Sequence, residues 1–411
     1  MGMTFLILFA MAEITLVALT FTKFSEKSAW LKNRVIVRTA ETVLLLGMIL
    51  LPTVNMKWRF FGALIVIAVR LIFAGIIWLI RHKKIQGMKK KLWSVVNCVL
   101  SVILVTVSLV PAFLFTNYNG LPTTGDYKVN QVSAILVDES RKDEFENDGS
   151  FREVPIYFFY PESKNGEFPL VIFSHGAFGY YQSNYSTYAE LASNGYVVAA
   201  LDHPHHSFFT EDTNGTIITV DSNFIDEVMK VSSIDNAADL NDEQVYEISR
   251  KWLKVRVDDE NFVLDTIKSA KSSRSLDKAW HTDDEDTVMN VLSKTDTEKI
   301  GLIGHSLGGA TSVTVGRERD DIDAIAVLDG TMLGEVKEIK NGKNVYYSEP
   351  YPIPVLDFTK EKDYNERMQY KIEHGYAYVN EYVTENAKDS KTVMVNYPSS
   401  KVNGLPASSS S

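Results

Sequence analysis

Four long apolar runs fill the first 116 residues of this 411-residue chain, and they constrain its fold more than any other feature. They extend over roughly Thr4–Phe21, Val35–Thr53, Phe60–Ile80 and Leu92–Phe115. About 20 apolar residues suffice to cross the hydrocarbon layer as a helix, and a helix satisfies its own backbone in lipid. Residues 1–116 hold 14 Lys+Arg against 3 Asp+Glu, a net charge of +11, whereas the remainder holds 28 against 49, net −21. A basic region threaded between apolar runs points to a membrane partner. The acidic remainder has no basic patch for a phosphate backbone, which excludes nucleic-acid binding as a function class.

The first run lacks the basic leader and small-residue cleavage site of a signal peptide. Lys23, Lys27, Lys32 and Arg34 follow it, and Arg81, Lys83, Lys84 and Lys89–Lys91 lie between runs three and four. Only Lys57 and Arg59 lie between runs two and three. The positive-inside bias therefore predicts a four-span, multi-pass cell-membrane protein with its N-terminus and residues 117–411 outside the cytoplasm. Glu13, Arg38, Glu41 and Arg70 fall within or at the edge of the spans, where charge is costly and often functional. Arg38 and Glu41, one turn apart, are expected to pair or to lie near the interface; a transport path through four helices is the weaker reading. The single cysteine, Cys98, lies in an apolar run, so no intrachain disulfide forms and the thiol is inert.

From residue 117 onwards the pattern is that of an α/β domain. Gln131–Val137 and Val154–Tyr160 read as strands, followed by short apolar strands at Pro169–Phe173, Tyr196–Leu201, Ile300–Ile303, Ile322–Leu328, Ile353–Asp357 and Thr392–Asn396. Tyr185–Ser193 reads as a helix stopped by Gly195. Short apolar strands alternating with helices indicate a mostly parallel sheet with helices on both faces. Residues 206–249 and 271–297 break the rhythm and are expected to be surface insertions, the first of them a cap over a site.

Gly304-His305-Ser306-Leu307-Gly308 fits G-x-S-x-G between the strand Lys299–Ile303 and the small-residue helix Gly308–Val315. That is the setting of a nucleophile elbow, in which a serine stands on a cramped strand-to-helix turn. Ser306 is the expected nucleophile, and the Leu307 N–H is one expected oxyanion donor. The second donor is expected from Ser174-His175-Gly176-Ala177-Phe178-Gly179, with Ala177 favoured and Phe178 next. The cluster Asp202-His203-Pro204-His205-His206 invites a zinc reading, but no framework at ligand spacing supports it, and a loop beside the site is favoured.

The stretches FPLVIFSHGAFGYYQSNYSTYAELASNGYVVAALDHPHHS, VRVDDENFVLDTI and IGLIGHSLGGAT…AIAVLDG resemble the plasma-type (type II) platelet-activating-factor acetylhydrolase family and its bacterial relatives, over roughly residues 125–400. The resemblance implies an α/β-hydrolase fold whose serine attacks a short acyl ester without metal or other cofactor. It also implies Asp329, in Val327-Leu328-Asp329-Gly330, as the acid of the triad. An acid one strand later, Asp363, is the alternative. The base should follow the last strand, at about Lys401–Asn403, where no histidine stands. Only His374 follows Asp329, in the amphipathic stretch Tyr364–Glu385. Two explanations stay open: an altered or truncated C-terminus, or a proton acceptor supplied by a partner or another residue. The expected function is ester hydrolysis on lipid or small acyl esters at a membrane. The alternative is a catalytically impaired, hydrolase-like binding protein.

Overall fold

A computed structural model of the protein describes residues 2–22, 26–51, 54, 57–114, 122–232 and 240–396. The chain divides into two units, Met1–Leu121 and Pro122–Ser411.

In the first unit, α1 (Gly2–Leu19), α2 (Lys27–Ile49), α3 (Phe61–Arg81) and α4 (Lys91–Ser108) pack together, and a short α5 (Val110–Leu114) follows. Phe5, Phe9, Leu45, Ile67 and Val105 fill the centre. Large aliphatic side chains such as Ile7, Ile65, Ile72, Leu79 and Leu100 face outward. Among the described residues, three helical segments are by length and composition apolar enough to cross a membrane: Gly2–Leu19, Lys57–Arg81 and Lys91–Ser108. The expected second span, Val35–Thr53, is the exception. It falls mostly in α2, and every stretch of 18 residues in that helix contains Arg34, Arg38 and Glu41. Arg38 and Glu41 do pair, at 2.8 Å, but inside the bundle. Glu13 of α1 accepts from both Arg38 and Arg70 of α3, so one buried cluster ties three helices together.

The second unit opens with an antiparallel pair, β1 (Val129–Lys142) and β2 (Phe151–Pro161). It continues through β3 (Phe168–Ser174), α6 (Tyr185–Ser193), β4 (Val197–Leu201), the hairpin β5 (Phe209–Glu211) and β6 (Ile217–Thr219), α7 (Ser222–Ser232) and the long α8 (Asp242–Ser273). Next come β7 (Trp280–His281), α9 (Glu285–Ser293), β8 (Thr295–His305), α10 (Leu307–Glu318), β9 (Ala324–Leu328) and the hairpin β10 (Val336–Lys340) and β11 (Lys343–Tyr346). The last described elements are β12 (Val355–Lys360), α11 (Glu361–His374), α12 (Val379–Asn386) and β13 (Ser390–Val395).

The main sheet runs β13-β12-β9-β8-β3-β4-β2-β1-β7. It is parallel from β13 to β4 and antiparallel beyond, with Leu170, Ile172, Ala199, Leu302 and Val327 in its core. From β3 the chain steps to β4 on one side, and from β8 it steps to β9 on the other. The crevice between the carboxyl ends of β3 and β8 is thus a switch point, where such sheets bind ligands.

Both stretches expected as insertions carry regular secondary structure. Residues 271–297 contain the end of α8, a strand pairing with β1 and the helix α9, which buries Val288, Val291 and Leu292. Acidic residues around those three obscured their helical spacing. Residues 206–249 are likewise structured where described, as the β5–β6 hairpin, α7 and the start of α8. The capping box of Asn241 and Gln244 begins that last helix.

Candidate active site

β8 is paired on both sides, so its C-terminal end is held between Ser174 on β3 and Val327 on β9, both opposite Gly304. The chain must then reverse sharply into α10. Ser306 does this at φ 52° and ψ −120°, a conformation costing a non-glycine residue about 1–3 kcal/mol. Its N–H donates to the Leu328 carbonyl at 3.1 Å, which locks the turn to β9. The turn closes only because its flanks lack side chains. A Cβ on Gly304 would lie 2.0 Å from the Gly308 carbonyl oxygen, and one on Gly308 would lie 2.0 Å from that of Ser174. The Ser306 side chain is half-buried, and among the described residues its Oγ has no hydrogen-bond partner.

The loop after β3 reaches the same place. The point where a Cβ would stand on Gly176 is 3.1 Å from Ser306 Cβ. Phe178, at φ 59°, donates its N–H to the His206 carbonyl at 3.1 Å and is therefore committed elsewhere. Among the described residues the Ala177 N–H meets no acceptor, and Leu307 opens α10, where helix amides lack intrahelical partners.

A buried polar network under this loop holds it in place. Ser174 Oγ lies 2.9 Å from His203 Nε2, and His203 Nδ1 lies 3.0 Å from Asp259 Oδ2 on α8. Asp259 also receives Arg152 from β2, at 2.8 Å, and Arg141 from β1, at 3.0 Å. Arg256, one turn earlier on α8 and fully buried, donates to the His175 carbonyl at 2.6 Å and to the Gly176 carbonyl at 3.4 Å. Burial would raise the Asp259 carboxyl, but Arg152 and His203 overcome it and hold the group below its ordinary range. Burial, with Arg256 adding to it, pushes His203 down to about 4, so the ring is neutral at physiological pH. The neighbouring histidines diverge: His205 stacks on Phe145 at 4.6 Å, and His206 stacks on Phe224 at 3.9 Å. Among the described residues no group of three or more His, Cys, Asp and Glu could hold a metal ion.

The sequence assigned no role to Arg256 or Asp259, and placed His203 only in a loop beside the site. The signal was present in α8, where Arg256, Asp259 and Glu260 share the buried phase of Trp252, Leu253 and Val263. Charge in that phase marks an internal network.

Glu260 gives a pH-dependent prediction. Burial pushes its carboxyl up to about 8, against the opposing pull of Arg256. Ser312 pulls the same way, although neither Glu260 oxygen meets hydrogen-bond geometry. The folded state keeps a proton that the unfolded chain releases above about 4.5, so stability falls as pH rises from there to about 8. Glu260→Gln is expected to melt with the wild type at pH 4.5 and about 5 °C above it at pH 8. An equal shift at both pH values in scanning fluorimetry would refute this.

Asp329 ends β9 at φ 47° and donates its N–H to the Phe358 carbonyl at 2.6 Å. Asn380 fixes the turn beyond it, donating to the Gly330 carbonyl at 2.9 Å and accepting from the Met332 N–H at 3.1 Å. The Asp329 carboxylate pairs with Lys360 Nζ at 2.5 Å, and Asp363 lies 3.7 Å from the same nitrogen. Lys360 thus stands between the two candidate acids. His374 ends α11, roughly 20 Å along the helix axis from Glu361 and the sheet edge that carries Ser306. The expected position of the base, Lys401–Asn403, lies outside the described residues.

A serine at positive φ between a central parallel strand and the next helix, with a free amide opposite, defines a protein of the α/β-hydrolase class. Within it, the model of the family "Platelet-activating factor acetylhydrolase, isoform II" matches residues 150–388, more than half of the chain. The chain belongs to that family. Platelet-activating factor acetylhydrolase of Canis lupus familiaris is 28% identical over 177 residues, 41% of this chain and 37% of the relative. That of Bos taurus is 28% identical over 213 residues, 50% and 42% respectively. The chain spans only about two fifths of the length of these curated relatives. Among solved structures, a ferulic acid esterase from Streptomyces cinnamoneus is 20% identical with a TM-score of 0.44, covering 66% of this chain and 75% of its own. A dienelactone hydrolase-like promiscuous phosphotriesterase from metagenomic libraries is 14% identical with a TM-score of 0.33, covering 66% and 82%.

Proposed function

We propose that the second unit is a serine carboxylic-ester hydrolase acting on short-acyl lipid esters of the platelet-activating-factor type. The observation that carries this reading is the strained Ser306 at the head of α10, with Gly176 of the loop after β3 against its Cβ; in this reading the Ala177 and Leu307 amides serve as the oxyanion donors. Ser306 Oγ attacks the ester carbonyl carbon and gives its proton to a base that Asp329 orients. The carbonyl oxygen, now negative, accepts from the two amides. The intermediate collapses to an acyl-serine and the protonated alcohol, and water then releases the acid and restores the hydroxyl. Each oxyanion donor contributes about 2.7–4 kcal/mol of barrier lowering. The helical unit holds the enzyme in the bilayer with its hydrolase unit outside the cytoplasm, a reading supported by the basic loops that flank its apolar helices.

A second reading has its own support. Among the described residues the ion-pair partner of Asp329 is Lys360, which suits a hydrolase-like unit that binds an acyl ester without turning it over.

A membrane-impermeant fluorophosphonate applied to intact cells tests both parts. Labelling of the wild type and none of Ser306→Ala is the expected result. Labelling that appears only after lysis would reverse the orientation and leave the nucleophile. No labelling in either case, with no turnover of p-nitrophenyl acetate, would favour the binding reading.

A further inference from the structure

We propose that the helical bundle holds a phosphate-type anion in a cavity between α1, α2, α3 and α4. The cavity measures about 220 Å³, and its polar lining is Arg34, Arg38, Arg70, Ser94, Asn97 and Ser101, with Glu13 at one wall. Three arginines face two carboxylates here, Glu13 and Glu41, which leaves one positive charge unbalanced among apolar helices. Glu13 and Glu41 are both committed to arginines already. The polar atoms left over are mostly donors. Among the described residues Arg38 Nε, Arg70 Nη1 and the Ser94 hydroxyl are buried and meet no hydrogen-bond partner, and the Ser94 residue is only 3% exposed. Among the described residues Arg34 makes no ion pair and lies over the Trp30 ring at 5.8 Å.

Unsatisfied buried donors are costly, and an unbalanced charge in a membrane-spanning bundle costs more. An anion with several acceptor oxygens answers both at once. Guanidinium groups bind phosphate through paired hydrogen bonds, which favours that group over a halide. A water occupies about 30 Å³ in the liquid, so the cavity has room for a phosphate and a few waters. On α2 the cavity lining, Trp30, Arg34 and Arg38, lies in the half nearest the basic loops, and on α4 it begins at Ser94, one turn from them, and runs past the middle of the helix. Lys89 from one of these loops sits 4.1 Å above the Trp30 ring at the cavity wall. Clustered Lys and Arg at that end would concentrate anions there. The shared chemistry is a phosphate monoester or free phosphate, and a phosphomonoester lipid headgroup is one source of it. This inference is independent of the hydrolase reading.

The full-length protein is purified, incorporated into phosphatidylcholine nanodiscs with or without phosphatidic acid, and examined by native mass spectrometry. A detergent-solubilised sample is titrated with inorganic phosphate in parallel. Retention of one phosphatidic acid per chain supports a headgroup site, and saturable binding of phosphate alone supports a free-ion site. Arg34→Gln and, separately, Ser94→Ala are expected to weaken retention about tenfold in whichever arm binds. Lys32→Gln, an exposed charge two residues away from Arg34, should leave it unchanged. Binding in neither arm overturns the proposal. So does an equal loss in Lys32→Gln and Arg34→Gln, which would reduce the effect to general attraction by basic loops.

Discussion

Replacing Asp329 with Asn should lower kcat on a short p-nitrophenyl ester by up to about 10⁴-fold and leave KM within a few-fold, the scale of loss when the acid that orients a catalytic base is neutralised. Asp363→Asn should change kcat by no more than about threefold, because in this reading its carboxylate has no direct part in orienting the base. The contrast follows from backbone placement. Asp329 is fixed by its bond to Phe358 and continues into a turn held by Asn380, while the Ser306 N–H is bonded to Leu328, the residue just before it. Asp363 lies in the first turn of α11, on the other side of Lys360. Comparable losses in the two variants, or a larger one at Asp363, would move the acid one strand along the sheet.

The largest stability effect is expected at Asp259. It faces Arg152, Arg141 and His203 with no exposure of its own. Removing one member of a buried ion pair costs about 3–5 kcal/mol, because the remaining charge is stranded. Asp259→Asn should therefore lower the melting temperature of the full chain's hydrolase unit by roughly 10 °C. The loop after β3 should loosen as well, since one of the two oxygens that His203, Arg152 and Arg141 share becomes a donor amide, and Ser174 then loses a fixed neighbour. Fluorophosphonate labelling of Ser306 should slow in the variant even well below its melting temperature. A variant that melts within about 2 °C of the wild type would show that the network contributes little to stability.

Much of this was legible in the residues. The helix Tyr185–Ser193 was readable because Gly195, at φ 93°, is a clear stop after an amphipathic turn. The elbow was readable because Gly304 and Gly308 admit no side chain and small residues follow them. Phe178 could not be separated from Ala177 by sequence, since that choice rests on a long-range bond to His206. The α2 helix read as a span from its apolar run, and Arg34, Arg38 and Glu41 were given too little weight; Arg38 reaches Glu13 across the bundle. Lys360 was invisible as a partner of Asp329, because pairing between neighbouring strands brings them together. The α9 helix was hidden by the acidic residues that cap it.

The chain from Ser174 through His203 to Asp259 has a practical consequence. A hydroxyl, an imidazole and a carboxylate stand in line at ordinary bonding lengths, so a geometric template for hydrolytic machinery would select this trio first. Solvent reaches none of the three. Reagents and substrates would pass it by, and its histidine would resist alkylation while the rest of the surface reacted. Exposure, rather than the alignment of three groups, separates the half-buried Ser306, the proposed nucleophile, from this sealed look-alike.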